Sequence, residues 1–198
     1  NRSESRAERE TPTQVGLRTV LEQSEQRKQP RKRELTPQTN IVPVITPLTS
    51  DGRIDHDSIG KLVEHLVSQG VKAVLVMGQT GEFDRLTPHQ RREAIEVFAQ
   101  KIHSRMTVYA NVTGNTETET LENIGKLQSD ENVHVLVLCP LFYLKQPKEI
   151  PDHFRRIVSR KPLAIYNNPG LTRGINIPAW VLSSIVDRII LVKNSGPF

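Results

Sequence analysis

The chain has 198 residues, which is enough to bury a sizeable core, and one domain is the default at that length. Its 27 Lys and Arg residues stand against 22 Asp and Glu residues, but +3 of this net charge of +5 belongs to residues 1–39. The remaining +2 is so nearly balanced that it argues against a nucleic-acid partner. The single cysteine, Cys139, excludes an internal disulfide and suits the reducing conditions of the cytoplasm. No apolar run approaches the length of about 18 residues that spans a membrane, so no membrane partner is expected.

Residues 1–39 differ in composition from the rest of the chain. They hold nine basic and six acidic residues, few aliphatic side chains and no aromatic one. Such a segment cannot bury enough apolar surface to fold by itself. We therefore expect a polar, disordered N-terminal extension over residues 1–39 and a folded domain over residues 40–198. The basic run at residues 27–33 leaves an arm that binds an anionic surface as the alternative.

After the extension, strand and helix signals alternate along the chain. Short apolar runs predict six strands, near residues 41–46, 73–77, 106–112, 133–139, 163–166 and 189–193. Apolar residues at helical spacing predict an amphipathic helix between one strand and the next. Thr87 and Gln90 match a capping box, and Thr116 with Glu119 matches another. Asn176 is the expected cap of the last helix.

The strand ends are evenly spaced. Val112, Cys139, Tyr166 and Lys193 follow one another at intervals of 27 residues. Regular βα units of this size with short loops favour an α/β fold of the (β/α)8 TIM barrel type. An open doubly wound sheet is the alternative, because strand order cannot be read from one sequence. A closed barrel typically needs about 250 residues, so the sequence predicts a barrel truncated after its sixth strand.

Candidate catalytic residues lie where these strands end. Lys193 follows four consecutive aliphatic residues. Desolvation disfavours the ammonium form of a lysine, which leaves a free amine able to attack a ketone. Tyr166 ends the preceding strand with a phenol that can transfer protons, and Thr80 adds a hydroxyl from the turn after the second strand. Each residue alone has an ordinary structural interpretation, but three of them at one edge of a sheet predict a catalytic site.

Metal and dinucleotide sites find no support in the sequence. The six histidines show no metal-ligand spacing, and no GxGxxG motif follows a strand. His134 lies within a predicted strand, where a core or interface role is favoured. His153 lies at the start of a predicted helix, where a packing and capping role is favoured.

Four motifs stand in order along the chain. They are GQTGEF followed by LT (78–87), CPLFY with DHF (139–143 and 152–154), YNNPG (166–170) and VKNSG (192–196). In order and spacing these motifs resemble those of the dihydrodipicolinate synthase and N-acetylneuraminate lyase family of pyruvate-dependent class I aldolases. The resemblance covers the chain from about Ile41 to its end. It implies a TIM barrel that forms a homo-oligomer, a tetramer or a dimer, and that needs no metal or organic cofactor.

The resemblance also implies roles for individual residues. Lys193 would form the Schiff base with pyruvate or another small-molecule 2-keto acid, and Tyr166 and Thr80 would transfer protons. The pair at positions 79–80, with its backbone amides, would hold the carboxylate of the keto acid. The substrate-binding residues that the resemblance implies are Gln79, Thr80, Gly81, Phe142, Tyr143 and Leu171.

Three positions depart from the family's pattern. Gln79 replaces one of two loop hydroxyls, and Phe142 stands where a relay tyrosine is common, with Tyr143 beside it. Leu171 stands where dihydrodipicolinate synthases carry an arginine for the second substrate, although Arg173 follows two residues later. These departures favour a keto-acid or sialic-acid-type aldolase over dihydrodipicolinate synthase itself. The alternative is an inactive or truncated member with a binding or structural role, and the activity of the 198-residue chain itself stays open.

Overall fold

A computed structural model of the chain describes residues 40–127, 133–138, 147–157 and 163–196. Within these ranges the strands are β1 (Ile41–Pro43), β2 (Ala73–Val76), β3 (Thr107–Asn111), β4 (Val133–Leu138), β5 (Leu163–Asn167) and β6 (Ile189–Asn194). The α-helices are α1 (His56–Ser68), α2 (Pro88–Ile102), α3 (Glu117–Lys126), α4 (Ile150–Ile157) and α5 (Ala179–Ser184). Short 3-10 helices are found at Phe83–Arg85, Pro147–Glu149 and Val186–Arg188. No helix in the described ranges has the length and apolar character needed to cross a bilayer.

The six strands form one sheet in which they lie in chain order from β1 to β6. Every neighbouring pair is parallel. A doubly wound sheet reverses its strand order at a switch point, so this strictly sequential order excludes that alternative. Successive right-handed crossovers running in one direction place the helices on one face and leave the other face for a barrel interior. The predicted α/β barrel architecture is therefore confirmed over five βα units and a sixth strand.

Local sequence signals account for where two of the helices begin. At the start of α2, the Thr87 hydroxyl accepts the Gln90 N–H at 3.2 Å, and the Gln90 side chain accepts the Thr87 N–H at 3.0 Å. This is the predicted capping box, with Pro88 at the first helical position. At the start of α3, the Thr116 hydroxyl accepts the Glu119 N–H at 3.1 Å. The capping box at Thr87 is therefore confirmed, and so is Thr116 as a cap. The reciprocal bond of the second box is not formed, because the Glu119 carboxylate accepts the Asn115 N–H at 2.8 Å instead.

The predicted cap at Asn176 is wrong. Helix α5 begins after Pro178, whose side chain makes no capping hydrogen bond. The side-chain oxygen of Asn176 instead accepts a hydrogen bond of 2.7 Å from the amide of Asn167, at the end of β5. The Asn176 oxygen, which the local sequence pattern assigned to the start of α5, is therefore used in a contact with the preceding strand.

The first strand is shorter than predicted and ends at Pro43 rather than residue 46. Proline has no N–H to donate to a ladder, which suits a strand end or an edge. The Val44 N–H still bonds to the Leu75 carbonyl at 3.1 Å. Beyond it, the hydroxyl of Thr46 donates to the Gly81 carbonyl at 2.8 Å, so this segment packs against the turn after β2.

The core lies between the sheet and its helices. Large, fully buried side chains include Ile59 from α1, Phe98 from α2 and Phe154 from α4. All five residues of β5 are buried, as expected of a parallel strand that is covered on both faces. By contrast, β6 forms one edge of the described sheet, and after Ile189 its residues are half-buried or exposed. Lys193 therefore stands on a less enclosed strand than the apolar run before it suggests.

Several predictions fall on residues outside the described ranges. These include the N-terminal extension over residues 1–39, the end of the fourth strand at Cys139, and the substrate-binding positions Phe142 and Tyr143. They stay predictions.

Candidate active site

The register of β5 against β6 brings the two main candidate residues together. Tyr166 is the direct partner of Lys193 across this strand pair. Because side chains alternate between the two faces of a sheet, paired residues point to the same face. The Nζ atom of Lys193 lies over the Tyr166 ring, 3.9 Å from the ring centroid. An amine and a phenol thus share one position near the carboxyl ends of two adjacent strands, where TIM barrels place their active sites.

The Tyr166 hydroxyl is held by two side chains. The Asn168 amide donates to it at 2.7 Å, and the Ser195 hydroxyl lies 3.3 Å away. The tyrosine is only 3% exposed, so its hydroxyl is satisfied inside the protein. The phenol is therefore fixed in place.

These contacts also shift the acidity of the phenol. Burial raises the pKa of Tyr166, but its hydrogen bond with Ser195, the nearby Lys193 ammonium and the hydrogen bond from Asn168 outweigh burial and lower the pKa below its usual value. Groups that donate hydrogen bonds or positive charge to an oxygen stabilise its ionised form. The shift brings the phenol closer to the range in which it can both give and accept a proton.

Lys193 is half-buried and lines a cavity of about 260 Å³ on the inner face of the sheet. The cavity is bounded by Asn40, Ile41, Pro43, Leu75, Tyr109, Leu136, Leu191 and Lys193. Most of these side chains are apolar. The amine therefore opens into a space that could enclose a small organic substrate on a largely apolar surface.

The loops that follow β5 and β6 are tied together by asparagine side chains. The Asn167 amide donates to the side-chain oxygens of Asn176 and Asn194, each at 2.7 Å. The Asn167 carbonyl accepts the Ser195 N–H at 2.9 Å. Gly196 packs so closely on Pro169 that an added Cβ would lie 2.7 Å from the proline ring. These contacts hold the segments that carry Asn168 and Ser195 against each other.

The Gly-bounded turn after β2 is also shaped by close packing. Met77 leaves the strand with a φ of 59°, and the Gly81 N–H donates to the Gly78 carbonyl at 3.0 Å. A Cβ on Gly81 would lie 3.1 Å from the Thr46 hydroxyl and 3.2 Å from the Val44 carbonyl. Gly81 therefore permits the turn to approach the segment after β1, and its own N–H is used within the turn.

Gln79 and Thr80, at the tip of this turn, are exposed. Across the described ranges, Thr80 forms no hydrogen bond with Tyr166 or Lys193, and the hydroxyl beside Tyr166 is that of Ser195. The predicted pairing of Thr80 with Tyr166 is thus not formed in this structure. The backbone N–H groups of Gln79 and Thr80 are not used by the hydrogen bonds that close the turn.

Of the remaining substrate-binding candidates, Leu171 is half-buried in the loop after β5. Its N–H donates to the Asn168 carbonyl at 3.0 Å and approaches the Asn168 side-chain oxygen at 3.3 Å. Arg173 is exposed, with a φ of 53°, and is followed by Gly174 with a φ of 84°. The loop therefore turns sharply at Arg173 and Gly174. Arg173 is the residue that follows two positions after Leu171, where dihydrodipicolinate synthases carry their arginine.

Asn168 and Ser195 were not identified from the sequence as site residues. Each follows a predicted catalytic residue by two positions. Because side chains on a strand alternate with a period of two, that spacing would have placed both on the same face as Tyr166 and Lys193. Extending the alternation of each strand by two residues beyond its predicted end would therefore have identified Asn168 and Ser195.

A second group of buried polar side chains links the ends of β2, β3 and β4. The Asn111 amide donates to the Met77 carbonyl at 3.0 Å. The Thr113 hydroxyl donates to the Asn111 side-chain oxygen at 2.7 Å and accepts the Leu138 N–H at 2.8 Å. These hydrogen bonds satisfy backbone N–H and C=O groups at the point where the strand ladders end. We therefore assign these polar side chains a structural role.

Two of the histidines, His134 and His153, occupy structural positions. His134 faces Tyr109, with ring centroids 5.3 Å apart. His153 is buried against Phe154, and its Nδ1 lies 3.1 Å from a Glu117 carboxylate oxygen. This contact joins α4 to α3 and agrees with the predicted packing role. Within the described ranges, no three His, Cys, Asp or Glu side chains cluster in a way that could hold a metal ion.

Comparisons with known proteins agree with this geometry. The 4-hydroxy-tetrahydrodipicolinate synthase of Leuconostoc mesenteroides is 31% identical over 135 residues, which are 67% of this chain and 47% of that protein. A chloride-inhibited dihydrodipicolinate synthase from Acinetobacter baumannii, solved in complex with pyruvate, superposes with a TM-score of 0.74 at 25% identity, covering 80% of this chain and 56% of that one. The sialic acid aldolase of Ruminococcus gnavus superposes with a TM-score of 0.73 at 21% identity, covering 81% and 55%, and shows the shared fold.

The chain spans about half the length of the curated relatives that it matches. The sequence profile of the dihydrodipicolinate synthetase family matches residues 36–193, which include β1 to β5 and β6 as far as Lys193. The chain therefore belongs to the dihydrodipicolinate synthetase family.

Proposed function

We propose that this chain carries the Schiff-base site of a class I aldolase or lyase that acts on pyruvate or a related 2-keto acid. The observation that supports this most directly is the placement of the Lys193 amine 3.9 Å from the Tyr166 ring centroid, at the carboxyl ends of two parallel strands. A nucleophilic amine beside a proton-transferring phenol is the minimum that imine chemistry needs. The proposed location is the cytoplasm, and the proposed assembly is a homo-oligomer.

The first half of the proposed reaction forms the imine. The neutral amine of Lys193 attacks the C2 carbonyl carbon of the keto acid, and the carbonyl oxygen takes up a proton from Tyr166. The nitrogen, positively charged after the attack, then returns one proton to the Tyr166 phenolate, which leaves a neutral carbinolamine. The carbinolamine then loses its hydroxyl group as water, and a proton supplied through Tyr166 completes that water molecule. The product is a protonated imine between Lys193 and C2.

The second half breaks or forms a carbon–carbon bond. In cleavage, Tyr166 accepts the proton of the C4 hydroxyl, the C3–C4 electron pair moves toward the imine, and an aldehyde leaves. The electron pair is held as a neutral enamine, so no metal is needed to stabilise an enolate. Protonation of the enamine at C3 and hydrolysis release the keto acid and return the free amine. Synthesis is the same sequence in reverse.

The turn after β2 is the proposed carboxylate site. Its tip presents the backbone N–H groups of Gln79 and Thr80, which the hydrogen bonds of the turn leave available. Successive backbone N–H groups in a turn form an anion-binding concavity. The amide of Gln79 can donate to a carboxylate as a hydroxyl does, so its presence is compatible with binding.

The aldol partner is proposed to differ from that of a dihydrodipicolinate synthase. Leu171 offers no charge to a second carboxylate, and the loop turns sharply at Arg173 and Gly174. An apolar, half-buried side chain at this position favours an aldehyde without a carboxylate there. We therefore propose a keto-acid or sialic-acid-type aldolase as the activity.

The proposal is tested by covalent trapping. The chain is incubated with pyruvate and sodium borohydride, and the mass of the protein is measured by mass spectrometry. We expect one reduced pyruvate adduct on Lys193, none in Lys193→Ala, and none in Lys193→Arg, because a guanidinium stays protonated and is not a nucleophile. Lys72→Ala is the matched control, since Lys72 is exposed at the opposite end of the strands and should leave trapping unchanged. An adduct that persists in Lys193→Ala would reject the assignment.

The second candidate function is binding without catalysis. It is favoured by Gln79, which replaces a loop hydroxyl. Under this alternative, pyruvate would still perturb the NMR signals of residues near Lys193, but borohydride would trap no adduct. The same sample therefore distinguishes the two functions.

A further inference from the structure

We propose that Asn168 is the positioning residue for Tyr166. It holds the phenol oxygen as a hydrogen-bond acceptor and so supplies a contact that the Thr80 hydroxyl does not make in the described part of the chain. The inference rests on the proposed function for its catalytic meaning. The quantity that it predicts is the pKa of the Tyr166 hydroxyl, which can be measured without any substrate.

The first step is the orientation of the Asn168 amide. Its Oδ1 faces the backbone N–H of Leu171 at 3.3 Å, and a carbonyl oxygen is the end of an amide that can accept from an N–H. The Nδ2 end must then point the other way, where it lies 2.7 Å from the Tyr166 hydroxyl. The backbone contact therefore assigns the two ends of the amide independently of the phenol.

The second step is the rigidity of Asn168. Its carbonyl accepts hydrogen bonds from the hydroxyl of Thr172 at 2.9 Å and from the backbone N–H of Thr172 at 3.0 Å. The residue is 8% exposed, so water does not compete for its side chain. A buried amide fixed at both its backbone and its oxygen end is a preorganised donor.

The third step concerns where the phenol proton can go. An amide NH₂ group only donates, so the Tyr166 oxygen is the acceptor in this bond and its own proton points elsewhere. The other polar side chains at this oxygen are the hydroxyl of Ser195, 3.3 Å away, and the amine of Lys193. Ser195 is exposed, so a proton passed to it can reach solvent or substrate. Asn168 thus directs the phenol proton toward the open side of the site.

The Tyr166 acidity agrees with this arrangement. The pKa of the phenol is lowered although burial raises it, and the Asn168 hydrogen bond is one of the contacts that lower it. Thr80, the hydroxyl that the sequence suggested for this role, forms no hydrogen bond with Tyr166 in the described part of the chain.

The test measures the pKa of Tyr166 directly. The protein holds three tyrosines, so labelling with [ζ-¹³C]tyrosine gives few NMR signals, and Tyr166→Phe identifies the relevant one. Asn168→Asp keeps an oxygen for the Leu171 N–H but removes the donor, and Asn168→Leu removes the donor without adding charge. We expect both variants to raise the Tyr166 pKa by about one to two pH units, the aspartate more than the leucine.

Asn115→Asp is the matched control, because Asn115 is exposed and its side chain makes no hydrogen bond with Tyr166. It should move the pKa by less than about 0.3 unit. Loss of thermal stability in the Asn168 variants without a change in the Tyr166 pKa would assign Asn168 a purely structural role and overturn the proposal. So would an equal shift in the Asn115 control.

Kinetics separate this inference from the proposed function. If the wild-type chain traps pyruvate, Asn168→Leu should still trap it but slow exchange of the C3 protons of pyruvate with D₂O about tenfold or more, with little change in the pyruvate concentration needed for half-saturation. If the wild-type chain traps nothing, the proposed function fails. The NMR titration then still tests the effect of Asn168 on the Tyr166 pKa, independently of that failure.

Discussion

Tyr166 and Lys193 are direct partners across β5 and β6, and the amine of the lysine lies 3.9 Å from the centre of the tyrosine ring. The 27 residues that separate them in sequence make up one βα unit. A parallel barrel returns to the same height of the sheet after each such unit, so residues one unit apart become neighbours. The repeat that predicts the fold thus also explains why these two side chains meet.

Tyr166→Phe separates imine formation from proton transfer. The substitution keeps the ring beneath the Lys193 amine but removes the hydroxyl that Asn168 and Ser195 hold. We expect borohydride trapping of pyruvate to persist, while the rate of C3 proton exchange, followed by ¹H NMR in D₂O, falls by about 10²–10⁴. An exchange rate equal to that of the wild type would show that another group moves the proton.

Gly196→Ala should strain the active site, whereas Gly125→Ala should not. A Cβ at Gly196 would lie 2.7 and 2.8 Å from atoms of the Pro169 ring and 3.2 Å from the Asn167 amide, so the loops after β5 and β6 would have to separate. Overpacking of this kind costs about 1–3 kcal/mol. Gly125 is exposed in α3 with nothing within 4 Å of an added Cβ.

For Gly125→Ala we therefore expect a gain of up to about 1 kcal/mol from helix propensity alone. Urea unfolding of the two variants measures both effects against the wild type. Equal stability of Gly196→Ala and wild type would mean that the Pro169 contact relaxes without cost.

His153 should make the protein sensitive to acid. Burial lowers the pKa of His153 from 6.5 to about 4, although its hydrogen bond with Glu117 acts in the opposite direction. Between these two pH values the unfolded chain binds a proton that the folded protein does not, so the free energy of unfolding falls as the pH decreases from about 6.5 to about 4. The full effect of such a shift is on the order of 3 kcal/mol.

The measurement is urea unfolding at several pH values between 7 and 4. His153→Gln should lose this part of the pH dependence whatever its stability at pH 7, because glutamine does not titrate. His65→Gln, at an exposed position in α1, is the control. A His153→Gln variant with the same acid slope as the wild type would contradict the prediction.

Some features of this protein were determined by its sequence alone. Buried apolar runs and their spacing predicted six parallel strands, and Thr87, Gln90 and Thr116 predicted two helix starts that the structure contains. Each strand is marked by its own apolar run, and the two helix starts depend on groups a few residues apart, whose hydrogen bonds form within one turn of backbone. For the same reason, Tyr166 and Lys193 could be recognised as strand-end residues, since each position follows from its own apolar run.

Other features were decided by the tertiary structure. Asn176 matches a local capping pattern, yet its oxygen bonds to Asn167 at the end of β5. Thr80 resembles a partner for Tyr166, yet the side chains at the phenol are Asn168 and Ser195. In both cases the partner of a polar side chain depends on which strand ends and loops the register brings within about 3 Å, the reach of a hydrogen bond. Local sequence determines which groups need partners, and the packing of one βα unit on the next determines which partners they receive.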